Sequence, residues 1–336
     1  MLNTTRKLYN DYMARQAQMS GVSDASLKFN VDPTVQQRLE TKIQESSEFL
    51  GLININGVAE QSGEKVGLGV GGTIASRTDT SGNGVRKTSD PTTMDSGKYF
   101  CRHTDYDTHL TYAKIDSWAK FKDFQTRISG VVAKRCALDR IMIGWNGRTA
   151  ADNTNRVQNP LLQDVNIGWL ENIRQKAAAR VMSEGKQAGK VSVGSGGDYK
   201  NLDALVFDVT NTLLDTWHQE DPGLVAITGR KLMHDKLFPL VSDYDAPTER
   251  LAADIVRSQK RLGNLPGLTV PYFPADSVLV TRLDNLSIYY QNGARRRAIK
   301  EVPERNRIEF YESSNDDYVI EDYGLCALVE NIEILE

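Results

Sequence analysis

Cysteine is scarce in this chain: three residues in 336, Cys101, Cys136 and Cys326. An odd number at such distances fits neither a disulfide framework nor a zinc knuckle, so the three read as reduced, buried or semi-buried thiols. Charge of one sign is also lacking. Lys and Arg total 41 against 44 Asp and Glu, a net charge of −3, which leaves no electrostatic case for gripping nucleic acid. No apolar run approaches the ~20 residues of a membrane helix, and the amino terminus has no apolar signal core. The expectation is a protein made and kept in a cytoplasm. Nucleophile and zinc-protease signatures are absent too: no G-x-S-x-G or H-E-x-x-H occurs, and His218 and His234 have no flanking Ser or Cys pattern. What remains, 40% hydrophobic and 25% charged residues, is the composition of a globular chain long enough for two domains or one with a large insertion.

The strongest periodic signal runs from Asp116 to Trp145. Trp118, Phe121, Phe124, Ile128, Val131, Leu138, Met142 and Trp145 recur at helical spacing. The pattern predicts a spine helix over 116–145, roughly 45 Å long at about 1.5 Å per residue. Asp116 and Ser117 are its candidate caps, and Gly144 with Asn146-Gly147 its stop. Before it, Met1 to Met19 suggest a thin-striped amphipathic helix, and SGVSDASLKFNVDP an extended, accessible linker. Asp32-Pro33 then starts a second helix carrying Val35, Leu39 and Ile43. From Gly57 to Arg102 glycines sit among Ser, Thr and Asp, with Ser81-Gly82-Asn83-Gly84 as a turn between short alternating runs. A loop with so little to bury reads as a β-hairpin arm that folds against a neighbouring subunit.

After the spine, the pattern predicts a short helix around 170–182 and a helix carrying Leu202, Leu205, Val206, Val209 and Leu213. A strand at 224–228, a helix from Arg230 toward Phe238 and another over about 248–262 follow, then strands LTVPYF, SVLVT and LSIYY. Together these describe a compact α/β unit. The tail from Asn306 to Glu336 reads mostly as strand returning to a sheet beside the spine.

Candidate chemistry is thin. Gly67 to Gly72 satisfies G-x-G-x-x-G, with Asp90 beyond it, but lacks a strand-to-helix context and reads better as glycines that let a hairpin approach another backbone. His103, Asp105, Asp107 and His109 share one face of a strand and carry metal-ligand chemistry, yet a straight row does not close around one ion. Gly194 to Gly197 lacks the Lys-Ser/Thr of a phosphate loop and reads as a turn. Arg295-Arg296-Arg297 reads as a solvated hairpin tip or a contact for acidic partners. No catalytic constellation emerges, and the expectation is no enzyme, no cofactor and no metal.

Longer runs carry more. QESSEFL (Gln44 to Leu50), GEKVGLGVGGTIASRTDT (Gly63 to Thr80), NPLLQDVNIGWL (Asn159 to Leu170), LAADIVRSQKRLGNLPGLTVPYFPAD (Leu251 to Asp276) and LSIYYQNGARR (Leu286 to Arg296) closely resemble the major capsid protein of Peduovirus-type tailed bacteriophages. The resemblance spans nearly the whole chain. It implies an α+β, Hong Kong 97-like shell fold. Residues 1–29 would be a scaffold-associated segment removed on maturation, with the cut at Phe29-Asn30, and 30–56 an N-arm. Residues 57–102 would form the extended loop, 103–200 and 299–336 a peripheral domain holding the spine, and 201–298 an inserted axial domain. It further implies pentamers and hexamers forming an icosahedral head, an internal scaffold and protease, a portal, enclosed double-stranded DNA without sequence-specific contact, and no membrane. His103, His109 and a short turn at 184–190 depart from the relatives. A non-viral compartment shell of the same fold and a nucleotide enzyme using 67–72 are the other readings.

Overall fold

The structure, a computed structural model, describes residues 1–70, 75–79, 85, 86, 88, 92–121, 123–237 and 260–335. The chain begins with α1 (Asn3–Met19), β1 (Phe29–Asn30) and α2 (Pro33–Glu45). Asp32 caps α2 by accepting the Thr34 N–H at 2.8 Å, and Pro33 fills its first turn, where no N–H is needed. Strands β2 (Asn54–Val58), β3 (Ser62–Val70), β4 (Thr92–Phe100), β5 (Arg102–Asp105) and β6 (Thr108–Thr111) follow, then helices α3 (Tyr112–Trp118) and α4 (Phe124–Asn146).

The spine expected over 116–145 is therefore two helices with an elbow between them. Ile115 and Ile128 are 0% and 2% exposed and pack into one cluster with Tyr9, Tyr12, Ile299 and Phe310. In a continuous helix, residues thirteen apart point about 140° away from each other. The elbow lets both face the same core. Arg127 closes it, stacking 4.1 Å over Phe121 and donating to Asp123 at 2.8 Å. Asp116 is no cap; it accepts the Leu2 N–H at 3.0 Å. α4 ends at Asn146 with Gly147 as its C-cap, at the expected Asn146-Gly147 stop; Gly144 lies inside the helix and is glycine because a Cβ there would stand 2.2 Å from the Trp169 ring.

Next come α5 (Trp169–Lys176), β7 (Val181–Met182), β8 (Val191–Val193), α6 (Leu202–Leu213), β9 (Leu224–Thr228) and α7 (Arg230–Leu237). The short helix expected to reach Met182 ends at Lys176. Strands β10 (Arg261–Leu262), β11 (Leu265–Thr269), β12 (Val278–Arg282), β13 (Leu286–Gln291), β14 (Arg296–Val302), β15 (Arg307–Ile320), β16 (Ala327–Val329) and β17 (Ile332–Ile334) complete the chain. The helix expected over 248–262 falls mainly outside the described residues; its end is strand, joined to β11 by Gly263-Asn264, both at positive φ. Two such residues form the favoured tight hairpin turn.

Two sheets organise the core. A seven-stranded sheet runs β1-β14-β15-β13-β2, with β5 and β6 also paired to β15. A six-stranded sheet runs β10-β11-β9-β12-β16-β7. Trp145 and Trp169, with Phe49, Ile288 and Tyr318 beside the first sheet and Ile227, Leu279 and Leu328 of the second, share one buried cluster. Of the strands within 201–298, β13 and β14 belong to the first sheet, while β16 from the tail pairs β12 in the second. Strand pairing, a non-local property, overrides adjacency in sequence here. The tail returns beside α4 through β15, whose Asp316 bonds Arg140, and Cys326 and Leu328 share a buried cluster with α4.

Candidate assembly arm and processing segment

The glycine-rich stretch forms the expected hairpin. β3 and β4 pair antiparallel from Ser62↔Phe100 to Val70↔Thr92, and the predicted Ser81-to-Gly84 turn lies outside the described residues. Its root is fastened to the first sheet. Lys65 donates to the Ile320 carbonyl at 2.7 Å and to that of Glu321, and Phe100 N–H donates to Asp317 at 2.9 Å. Tyr99 meets Tyr289 edge-on at 5.3 Å. Gly63 is required there, since a Cβ would come within 2.7 Å of the Tyr99 hydroxyl.

The amino-terminal segment lies against the same sheet. Tyr9 and Tyr12 of α1 are 5% and 4% exposed, and Arg6 grips Glu301 with both guanidinium nitrogens. The stretch expected to be an accessible linker is instead partly anchored. Phe29 and Asn30 pair with Arg297 and Arg296 of β14, and Val31 N–H donates to the Arg295 carbonyl at 2.9 Å. Phe29 is buried and Asn30 exposed, as alternation along a strand requires.

Sequence reasoning missed the most constrained polar group in the chain. Arg140 of α4 bonds Glu40 of α2 and Asp316 of β15; Arg295 bonds Glu40 and Glu312; Arg297 bonds Glu312 at 2.8 Å. Tyr106 and Ser314 donate to Asp316 at 3.0 and 2.9 Å. The expected solvated tip at 295–297 is corrected accordingly: only Arg296 is exposed. Burial by itself would raise the Glu40 and Glu312 carboxyls, but the guanidinium groups outweigh it, holding Glu40 below the usual range and Glu312 at about 2. The hidden signal was Glu40 at helical spacing with Ile43, placing a carboxylate on the buried face of α2.

The other candidates do not assemble into a reacting site. The described part of the glycine motif, Gly67 to Val70, is hairpin strand, and Gly71 and Gly72 lie outside the described residues. His103 sits 3.0 Å from Asp105 and 3.3 Å from Asn315, Asp107 accepts the Glu312 N–H at 3.3 Å, and His109 lies opposite Glu309. Among the described residues no group of three or more His, Cys, Asp and Glu could hold a metal ion. Gly194 and Gly196 have positive φ in a turn. His218 contacts Asp322 at 3.0 Å, and the His234 side chain lies outside the described residues. All three thiols are free and buried, and burial pushes each up to about 12. No described helix is long and apolar enough to cross a membrane.

The profile of the family described as phage major capsid protein, P2 family, matches residues 8–332. The chain belongs to that family. A capsid protein of Escherichia phage P2 is 49% identical over 342 residues, covering 99% of this chain and 96% of the relative. The major capsid protein of Serratia phage KSP20 is 44% identical, covering 99% and 97%. The structure matches a chain of the satellite phage P4 procapsid that includes the size determination (Sid) protein, with TM-score 0.82, 46% identity and coverage of 100% and 99%. A gene transfer agent capsid at 15% identity and TM-score 0.51, covering 86% of this chain and 90% of that one, shares the fold alone. The fold is the Hong Kong 97-like class the sequence led us to expect, and the chain is a structural protein of a P2-like phage head.

Proposed function

We propose that copies of this capsid protein close into pentamers and hexamers and tile an icosahedral head around packaged double-stranded DNA, with the β3–β4 hairpin lying on a neighbouring copy. The carrying observation is the hairpin itself: among the described residues, the interactions that tie it to its own chain, through Lys65, Tyr99 and Phe100, sit at its root. A two-stranded hairpin is marginal in water, so its outer length needs a covering surface. In this reading the first sheet and α4 form the peripheral unit, and the second sheet with α6 the axial one. Residues 1–29 work with an internal scaffold and protease and are cut away at Phe29-Asn30, a portal occupies one vertex, and the chain performs no catalysis. The bond is already extended, as a protease binds its substrate, but β1 must leave β14 before it can be cut.

Full-length chain made with its scaffold partner tests this. Electron microscopy should show closed shells, and amino-terminal sequencing of matured particles should begin at Asn30. A small soluble oligomer under every assembly condition would sink the shell reading; an intact amino terminus in mature shells would sink the cut alone.

A further inference from the structure

A groove of about 360 Å³ crosses the exposed face of the first sheet beside β1. Lys28, Arg296 and Lys300 line it, all exposed, and among the described residues none of them forms a salt bridge. Lys300 reaches only the Tyr311 ring, at 6.0 Å. Ser313 of β15 also lines the groove; it is 4% exposed and its Oγ has no hydrogen-bond partner. A buried, unpaired hydroxyl is a standing cost that a bound group with a free lone pair or donor would remove. Opposite the cations stand Asp105, held by His103, and Asp107, whose Oδ1 accepts the Glu312 N–H. Arg297 and Glu312 complete the charged lining and neutralise one another.

The geometry points to a binding site for an acidic polypeptide segment in extended form. Its carboxylates pair with Lys28, Arg296 and Lys300, its backbone N–H groups donate to Asp105 and Asp107, and a carbonyl accepts the Ser313 hydroxyl. Mixed charge selects the class of ligand: a peptide backbone supplies acceptors and donors alternately, whereas a nucleic-acid phosphate backbone presents anionic acceptors that meet repulsion from the two aspartates. Exposed Leu27 and Tyr311 at the rim provide apolar surface for the peptide's other side chains. Leu27 and Lys28 lie in the segment that the proposed cut at Phe29-Asn30 would remove, so the site is one of the uncut chain, and Lys28 places any occupant next to that bond.

The test uses full-length, unassembled chain and fluorescein-labelled octaglutamate, read by anisotropy, with an octaglutamine peptide as the uncharged comparison. Arg296→Glu with Lys300→Glu should weaken octaglutamate by about tenfold or more, and Ser313→Ala by about threefold. Lys7→Glu with Lys134→Glu, the same charge change at exposed sites elsewhere, should change it less than about twofold. Thermal unfolding of each variant confirms that the fold is kept. The proposal fails if wild-type chain does not prefer octaglutamate, if the remote pair weakens it equally, or if a double-stranded oligonucleotide displaces the peptide at lower concentration than unlabelled octaglutamate does.

Discussion

Neutralising Glu40 by Glu40→Gln is the sharpest test of how the amino-terminal arm is held. Glu40 is 3% exposed and accepts from both Arg140 and Arg295. Its loss leaves three guanidinium groups, Arg140, Arg295 and Arg297, facing two carboxylates, Glu312 and Asp316. Removing one partner from a buried ion pair costs about 3–5 kcal/mol, because the other charge stays buried. A domain's whole stability is about 5–15 kcal/mol, so the loss is a large share of it. Urea unfolding of unassembled chain, followed by tryptophan fluorescence, should show a lower midpoint at unchanged slope. Glu40→Met combined with Arg295→Met removes one charge of each sign and leaves two cations facing two anions, so it should cost less than Glu40→Gln alone. A Glu40→Gln loss below about 1 kcal/mol, the scale of an exposed pair, would refute the reasoning. So would a balanced double variant that is less stable than the single one.

Acid should weaken the same group in a defined window. With Glu312 held at about 2, its contribution is complete above the ordinary carboxylate value of 4.5 and disappears as pH falls through about 2, so the urea midpoint should decline below pH 4.5 and Glu312→Gln should flatten that decline. Gly144→Ala drives a Cβ to 2.2 Å from Trp169 and should cost about 1–3 kcal/mol in thermal unfolding; an unchanged midpoint would mean that Trp169 moves freely. Lys65→Met removes an ammonium that serves two carbonyls and lies 3.4 Å from the Glu321 carboxylate. Hydrogen exchange of the β3 and β4 amides should accelerate by about 1.5–3 kcal/mol of lost protection while β15 is unaffected, and equal exchange in wild type and Lys65→Met would remove Lys65 from the hairpin's root.

Local signals were legible where local chemistry decides. Asp32-Pro33 marks the start of α2, where Asp32 accepts the Thr34 N–H at 2.8 Å. LVAIT is β9 from end to end. The hairpin was legible because glycine at short alternating runs leaves little else to form. The spine failed at its start because the apolar repeat continues through Phe121, whereas docking of α1 on Asp116 and the shared burial of Ile115 and Ile128 bend the chain there. The triple arginine failed for a related reason. A charge run looks solvated until its partners are known, and those partners, Glu40 and Glu312, come 255 residues before and 17 after Arg295. Spacing along one chain carries no trace of such pairs.

The two amino-terminal helices are held by different forces, and that difference orders their release. α1 docks through two buried tyrosines and an Arg6–Glu301 pair whose side chains are 42% and 23% exposed, and that pair is of a kind that water and salt weaken. α2 is held by ions that water does not reach, with both Glu40 and Arg140 almost fully buried. The proposed cut at Phe29-Asn30 would separate the two. It would free α1 to leave with an entropic gain, while Val31 would keep its bond to the Arg295 carbonyl and α2 its ionic anchor. Wild-type particles should therefore lose the first segment and retain the second at any ionic strength. In Glu40→Gln particles α2 should become accessible to added trypsin after the proposed cut, with cleavage at Arg38 and Lys42 read by mass spectrometry. If α2 resists trypsin equally in wild-type and Glu40→Gln particles, neighbouring copies rather than the buried ions hold it, and the anchor belongs to the shell instead of the subunit.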